Sequence, residues 1–267
     1  MPDPALRDRV AATSWYHSIE LEPGLVTPGW FDTRPLPRRL PFPASLADRR
    51  CLDVGTFDGF WAFEMEKRGA AEVVAVDVLD PHRWDWPAGS PPEVIEEMES
   101  RKRDNPGFAI AKEALGSQVR LVDETVYELD PDELGRFDFI FCGSLLLHLR
   151  DPVRGVESLR RLSDGEVMVT DAVDPFLSRL FRGRPVTELD GRGRPWWFHQ
   201  TASSLKALVE RGGFRVVEGP RRYAIPRGPA QRRPPLRPKV LLSRHGRELM
   251  RDAVLGSPHA VVRAVPA

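Results

Sequence analysis

The chain has 267 residues, 41% of them hydrophobic, and its 39 Lys and Arg balance 39 Asp and Glu. That is enough for one domain with insertions around a full core. No run approaches the roughly 18 apolar residues of a membrane span, and the start lacks the apolar region of a signal peptide, so a bacterial-type cytoplasm is the expected place. The two cysteines, Cys51 and Cys142, read as small core residues, with no disulfide and no metal site expected.

Residues 1–49 open with an amphipathic stretch at 5–12, pass through Trp15, Tyr16 and His17, and continue as a proline-rich approach. The next segment, 50–77, organises the chain. Residues 51–54 are a short apolar run broken by Gly55, which suits a buried parallel strand. Phe60, Trp61, Phe63 and Met65 give a helix an apolar face, Lys67 and Arg68 favour its last turn, and Gly69 ends it. Residues 73–76 are a second buried strand ending on Asp77. Strand, tight turn, helix and strand make a βαβ unit with a ligand site at the carboxyl ends of its strands.

An insertion with Trp84 and Trp86 follows, then a charged helix over about 92–104 and a helical stretch at 108–115. Trp84 and Trp86 have two readings, stacking on a planar substrate or closing the core. Strands are expected at 119–122, 137–142 and 166–170, the last ending at Asp171. Asp151 and Pro152 start a helix as N-cap and first-turn proline. Residues 172–200 form a basic and aromatic connection with Arg192, Arg194, Trp197 and His199. A helix from Thr201 stops at Gly212, a sixth strand covers 214–217, and a last strand covers 259–265. Between these two strands lies a proline-rich segment in which 221–251 carries ten Arg or Lys against Glu248 alone.

The turn itself points to a ligand class. A dinucleotide fingerprint needs a second glycine where Phe57 stands. Asp53 and Asp58 flank the turn and would repel a pyrophosphate, but they suit a ligand with an amino group and a sulfonium, such as S-adenosylmethionine. Gly55 and Gly59 allow close backbone approach, and Asp77 is placed to accept both ribose hydroxyls.

Asp53-Val54-Gly55-Thr56-Phe57-Asp58-Gly59 followed by 73–77 resembles the first two motifs of class I S-adenosylmethionine-dependent methyltransferases, and 137–142 resembles their fourth-strand motif. More narrowly, the turn, the run Gly143–Leu149 and Trp15-Tyr16-His17 resemble the group of tRNA wobble-uridine (5-oxyacetate-forming) methyltransferases. The resemblance implies an α/β, Rossmann-like fold with a seven-stranded, mostly parallel sheet, helices on both faces and lid insertions. It divides the chain into a cap segment at 1–49 and a catalytic domain at 50–267, with insertions at about 79–118, 172–200 and 221–258.

It also implies a cofactor site of Asp53, Gly55, Thr56, Phe57, Asp58, Gly59, Asp77 and Val78, with Thr125 and Val126 at the adenine and Cys142 and Gly143 at the fourth strand. The expected reaction is in-line methyl transfer to an O, N or C atom of a small-molecule acceptor, leaving S-adenosylhomocysteine. The alternative is (carboxy)methyl transfer to a tRNA wobble uridine. Members doing the latter use carboxy-S-adenosylmethionine and a lysine ahead of the first motif, whereas this chain has no lysine before Lys67; Arg38 or Arg39 is the available substitute.

Methyl transfer needs a base only when the acceptor keeps its proton. His148, after the fourth strand, is the first candidate, followed by His199, with Tyr16 orienting the acceptor. Trp15, His17, Asp171 and Trp197 are the expected substrate-binding residues. His82, His245 and His259 read as surface histidines. The basic segment at 221–251 reads as a solvated wall or anionic-substrate rim, with tRNA as the other partner it would suit.

Overall fold

Alternation within the apolar strands decides the layering. The computed structural model describes residues 3–103, 105–190, 195–231 and 244–267. The N-terminal segment runs through helix α1 (Pro4–Ala12), a hairpin of β1 (Glu20–Glu22) and β2 (Leu25–Val26), and the short α2 (Leu36–Arg39). The central unit is β3 (Arg50–Val54), α3 (Phe60–Lys67) and β4 (Glu72–Asp77). Helices α4 (Pro92–Lys102) and α5 (Pro106–Leu115) lead to β5 (Arg120–Asp123).

After the short α6 (Pro131–Leu134) come β6 (Phe137–Gly143), α7 (Pro152–Leu162) and β7 (Ser163–Ala172). The short α8 (Pro175–Leu180) and a hairpin of β8 (Thr187–Leu189) and β9 (Phe198–Gln200) form the next connection. The chain ends with α9 (Ala202–Arg211), β10 (Phe214–Ile225), α10 (Arg244–Leu255) and β11 (Ser257–Pro266).

Seven strands form one sheet in the order β10-β11-β7-β6-β3-β4-β5, parallel except for β11, which runs antiparallel to both neighbours. This is the seven-stranded, mostly parallel sheet that the resemblance implies. Cys51, Val73, Ala75, Phe139, Phe141 and Met168 point to one face and pack with Trp61, Phe63, Met65, Phe108 and Ile110 of α3 and α5. Leu52, Val54, Val74, Val76, Ile140, Cys142, Val167 and Val169 point to the other, against α7 and α9. β3, β4, β6 and β7 are therefore apolar on both faces, as a sheet covered on both sides requires. Phe137, Phe139 and Phe141 are fully buried, each contributing about 1.5–3 kcal/mol relative to exposure.

Several expected bounds shift, the fifth strand running from Ser163 to Ala172 and the last from Ser257 to Pro266. The sixth strand does not stop at 217: β10 passes two register irregularities and continues to Ile225, with Arg221 opposite Val261 and Ile225 opposite Ser257. The first basic residues of the 221–251 segment, Arg221 and Arg222, thus sit exposed on an outer strand, where charge protects an edge. Arg232, Arg233 and Arg237 of that segment, and Arg192 and Arg194 of the earlier connection, lie outside the described residues. The charged helix ends at Lys102.

The N-terminal segment is tied down on two sides. Tyr16 N and His17 N donate to Asp58 Oδ2 at 2.6 and 2.7 Å, fixing it to the turn after β3. Asp32 N donates to Pro226 O at 2.9 Å and Gly228 N to Trp30 O at 2.7 Å, fixing it to the end of β10. Between these anchors the segment crosses the carboxyl edge of the sheet.

Candidate active site

The turn between β3 and α3 is built by hydrogen bonds that its sequence supplies. Gly55 and Gly59 take φ of 78° and 89°, and Phe57, a bulky residue, is held at φ 48°. Phe57 is held from three directions: its N–H donates to Asp77 Oδ2 at 2.6 Å, the Tyr16 ring stacks on it at 4.9 Å, and the Lys102 ammonium lies 4.0 Å from its ring centroid. Asn105 Nδ2 donates to its carbonyl. Asp53 is buried and accepts from Thr56 Oγ1 at 2.7 Å and Ala62 N at 3.1 Å, so it braces the turn from below. Burial pushes Asp53 and Asp58 up to about 7. A Cβ on Gly59 would come within 2.5 Å of Phe63 and 2.8 Å of Phe108, so packing requires that glycine.

Above the turn is a cavity of about 560 Å³ at the carboxyl ends of β3, β4, β6 and β7. Of the expected cofactor set, Gly55, Phe57, Asp77, Val78, Thr125, Val126 and Gly143 line it. Asp53, Thr56, Asp58, Gly59 and Cys142 of that set stand behind the wall and hold it in shape. Asp77 also accepts Val78 N on Oδ1 at 2.8 Å and the Lys102 ammonium on Oδ2 at 2.6 Å.

The acceptor-side expectations divide similarly. Trp15, Tyr16, His17 and His148 line the cavity. The Tyr16 phenol is pushed up by burial and by the charges of Asp58 and Asp171, so it stays a neutral donor. His148 closes a 3₁₀ turn at Leu146–His148, and its Nδ1 bonds to Pro195 O. A carbonyl only accepts, so Nδ1 carries the proton and Nε2 the lone pair. Burial lowers its pKa, which keeps the ring neutral.

Asp171 is fully buried behind the cavity wall. Its carboxylate takes Leu147 N at 2.9 Å and Ala172 N at 2.8 Å. It therefore fixes the turn that carries His148. Burial pushes it up to about 7. His199 bonds Asp190 across the β8–β9 hairpin, away from the cavity. Trp197 donates to Asp85 O at 2.7 Å and lies under Arg150, while its neighbour Trp196 reaches the cavity.

The insertion after β4 forms a lid. Trp84 and Trp86 stack at 5.7 Å and both line the cavity, with their indole N–H groups committed to Val78 O and Pro81 O. Asp85 joins this lid to its surroundings, accepting Tyr127 OH at 2.7 Å and Arg150 N at 2.9 Å.

Over residues 32–219 the sequence matches the family described as methyltransferase domain. The chain belongs to that family. It is 30% identical over 183 residues to the tRNA U34 carboxymethyltransferase of Aeromonas salmonicida (strain A449), covering 67% of this chain and 49% of that protein. It is 25% identical over 182 residues to the enzyme of that name from Trichodesmium erythraeum (strain IMS101), covering 67% and 48%. The chain thus spans about half the length of the curated relatives it matches. The N-terminal domain of EvdMO1 with S-adenosylhomocysteine bound superposes with a TM-score of 0.56 at 14% identity, over 100% of this chain and 98% of that one. The putative methyltransferase in complex with the Haloferax volcanii Trm112 activator gives 0.53 at 12% identity, over 89% of each chain. These structural likenesses show the fold.

Three residues of this methyltransferase's site carry little signal in the sequence. Lys102 is fully buried against Asp77, although it ends a charged helix that reads as solvated. Asp85 is one carboxylate among many in an insertion. His259 is buried and lines the cavity, which corrects its reading as a surface histidine. Its Nε2 lies 3.0 Å from Ser144 Oγ and its Nδ1 3.1 Å from Ser257 O, and burial lowers it to about 4.

Proposed function

We propose that this methyltransferase transfers a methyl group to an oxygen, nitrogen or carbon atom of a small aromatic or polar molecule held in the cavity, with His148 taking the acceptor's proton where there is one to take. S-adenosylmethionine is the methyl donor and S-adenosylhomocysteine the product. The residues present fit that cofactor. Among the described residues, Asp77 Oδ1 accepts a single hydrogen bond, from Val78 N, and keeps capacity for a ribose hydroxyl. His17 Nδ1 and Asp58 Oδ1 are buried and have no partner among the described residues, as polar atoms beside a ligand site often do. When bound, the cofactor supplies an electrophilic methyl carbon on a cationic sulfur.

The chain's own part is to bind, align, exclude water and accept a proton. Alignment of two reactants alone contributes about 7–11 kcal/mol. The stacked Trp84 and Trp86, with Trp15 and Trp30 on the cap, give the cavity apolar walls that keep water out and suit a planar acceptor. Asp171 holds Leu147 N and so fixes the turn from which His148 faces the cavity. The observation that carries the reading is one wall shared by Gly55, Phe57, Asp77 and a neutral His148. Incubating an extract with labelled S-adenosylmethionine and weighing the product tests it: a small molecule heavier by one methyl supports it, and label confined to tRNA counts against it.

The curated relatives favour a second reading, carboxymethyl transfer to a tRNA wobble uridine. The extra carboxylate of that donor needs a cation. Among the described residues, the Arg side chains on the cavity wall are Arg83, bonded to Asp123 and Glu124, and Arg101, bonded to Glu97 at 2.6 Å. Arg38 and Arg39 are exposed on α2, away from the wall. These engagements support the ordinary donor as the first reading.

A further inference from the structure

Ser144 and His259 form a pair on the cavity wall that proton removal by His148 leaves unused. Ser144 follows β6 directly, and its N–H donates to Thr170 O at 2.8 Å. Its φ is 54°, a left-handed conformation that serine rarely adopts. His259 stands near the start of β11, opposite Ala172 on β7 and Tyr223 on β10. Because β11 runs antiparallel, its start lies at the carboxyl edge of the parallel strands, beside Ser144. The fold thus builds the pair from residues 115 positions apart.

The hydrogen bonds fix which group carries the proton. His259 Nδ1 lies 3.1 Å from Ser257 O, and a carbonyl only accepts, so Nδ1 carries the hydrogen. Nε2 then holds a lone pair 3.0 Å from Ser144 Oγ, and the serine hydroxyl donates to it. Burial lowers the His259 pKa to about 4, so this arrangement persists at neutral pH. The Tyr223 ring covers the imidazole at 5.7 Å between centroids, while its phenol engages Thr170. With its proton committed, Ser144 Oγ has only lone pairs left to offer. Leu145, Leu147 and Trp61 of the same cavity are apolar. A polar atom among apolar walls orients a ligand, and this one can only accept.

We infer that Ser144, held by His259, reads a hydrogen-bond donor on the methyl acceptor, an N–H or un-ionised O–H at the edge of a planar ring. The assignment rests on the small planar acceptor proposed above and narrows its class. N–H heteroaromatics and phenols fall inside that class. Fully alkylated rings and carboxylates fall outside it, because a carboxylate would set its oxygens against the Ser144 lone pairs. His259 is a positioning residue, acting through Ser144.

Indole and benzofuran share shape and size and differ in one N–H, so they test this role. Both are titrated by ligand-observed NMR, with S-adenosylhomocysteine present, into wild type, Ser144→Ala, His259→Phe and His148→Asn. Wild type is expected to bind indole about five- to tenfold more tightly than benzofuran, in line with one hydrogen bond. Ser144→Ala should bring the two within about twofold by weakening indole alone, where a structural loss would weaken both. His259→Phe should also narrow the preference, because the freed hydroxyl can turn its proton to the cavity. His148→Asn should keep it. Long-range ¹⁵N NMR of wild type should show His259 protonated at Nδ1. A proton on Nε2 overturns the assignment, as do equal binding by wild type, equal loss of both probes in Ser144→Ala, and a preference that survives Ser144→Ala or disappears in His148→Asn. Wild type that binds neither probe overturns the small planar acceptor itself, and this assignment with it. If His259→Phe does not fold, Ser144→Ala and the proton position decide.

Discussion

The ammonium of Lys102 sits 2.6 Å from Oδ2 of Asp77, in a side chain with no solvent exposure. Asp77 is the carboxylate at the end of β4 that we propose holds the ribose of the cofactor, so a buried cation shares that proposed anchor. Among the described residues, Oδ2 serves Lys102 and the Phe57 N–H, while Oδ1 takes Val78 N. The pair therefore holds the carboxylate in one orientation, and Lys102 also covers one side of the Phe57 ring.

Removing Asp77 should separate stability from binding. Asp77→Ala strands a buried ammonium, which costs about 3–5 kcal/mol when a buried pair is broken. Its melting temperature should fall, and its affinity for S-adenosylhomocysteine should drop tenfold or more. In the double variant Asp77→Ala/Lys102→Met much of the stability should return while binding stays weak. Recovery of binding in the double variant would place the ribose elsewhere.

For His148, the expected result is kinetic. His148→Asn should lower turnover of the acceptor by about 10²–10⁴, with affinity for S-adenosylhomocysteine within twofold of wild type. A variant that melts early and turns over normally while folded would reduce His148 to a structural residue.

Asp58 makes the protein's stability depend on pH. Its folded-state pKa is about 7 because it is buried, above an ordinary value of 3.8. The folded state thus holds this proton more tightly than the unfolded chain. The resulting stabilisation is full below about pH 4 and is lost as pH rises through about 7, a swing of the order of 4 kcal/mol. Asp58→Asn lacks that proton equilibrium. Urea denaturation at several pH values should show wild type losing ground to Asp58→Asn between pH 4 and 7, with the difference level above that. A constant difference across this window would mean that Asp58 stays ionised.

Much of the fold was legible because β3, β4 and β6 are continuous apolar runs bounded by Gly or Asp, a pattern with few other readings. The long β10 was not, since Glu218, Gly219, Pro220 and Arg221 break any alternation and only pairing with β11 carries the strand through them. The cofactor turn was legible as a motif, but the motif did not say which of its residues face the ligand; Thr56, Asp58 and Gly59 brace the turn from behind. Lys102 and His259 escaped for a common reason. Each is polar in a local context that reads as solvated, and its burial depends on a distant partner, Asp77 25 residues away for Lys102 and Ser144 115 residues away for His259. Asp171 was placed at the right edge of the sheet, but its bond to Leu147 N depends on how the His148 turn folds back.

Asp85 should govern how tightly the lid closes. Asp85→Ala removes the acceptor for Tyr127 OH and Arg150 N but keeps the backbone carbonyl that takes Trp197. Hydrogen exchange should therefore speed up at the Arg150 amide and across the Trp84–Trp86 loop. Affinity for S-adenosylhomocysteine should fall about tenfold or more, in line with the loss of one or two bonds to a charged group at about 1.5–3 kcal/mol each. Unchanged exchange at Arg150 would show that the lid is held by its indoles alone.

The choice of donor tests the function most directly. A carboxylate added to the transferred group would enter a cavity whose wall arginines, among the described residues, are already paired: Arg83 with Asp123 and Glu124, and Arg101 with Glu97. His259, neutral down to about pH 4, offers no charge either. A desolvated carboxylate without a cation is costly, so calorimetry should show wild type binding S-adenosylmethionine at least tenfold more tightly than its carboxy form. Glu97→Gln frees the Arg101 guanidinium, which lies 3.9 Å over the Trp30 ring at the cavity wall. That variant should narrow the preference by a few-fold, since the pair is partly exposed and screened. Tighter binding of the carboxy form by wild type would make carboxymethyl transfer the better reading, and with it a tRNA acceptor.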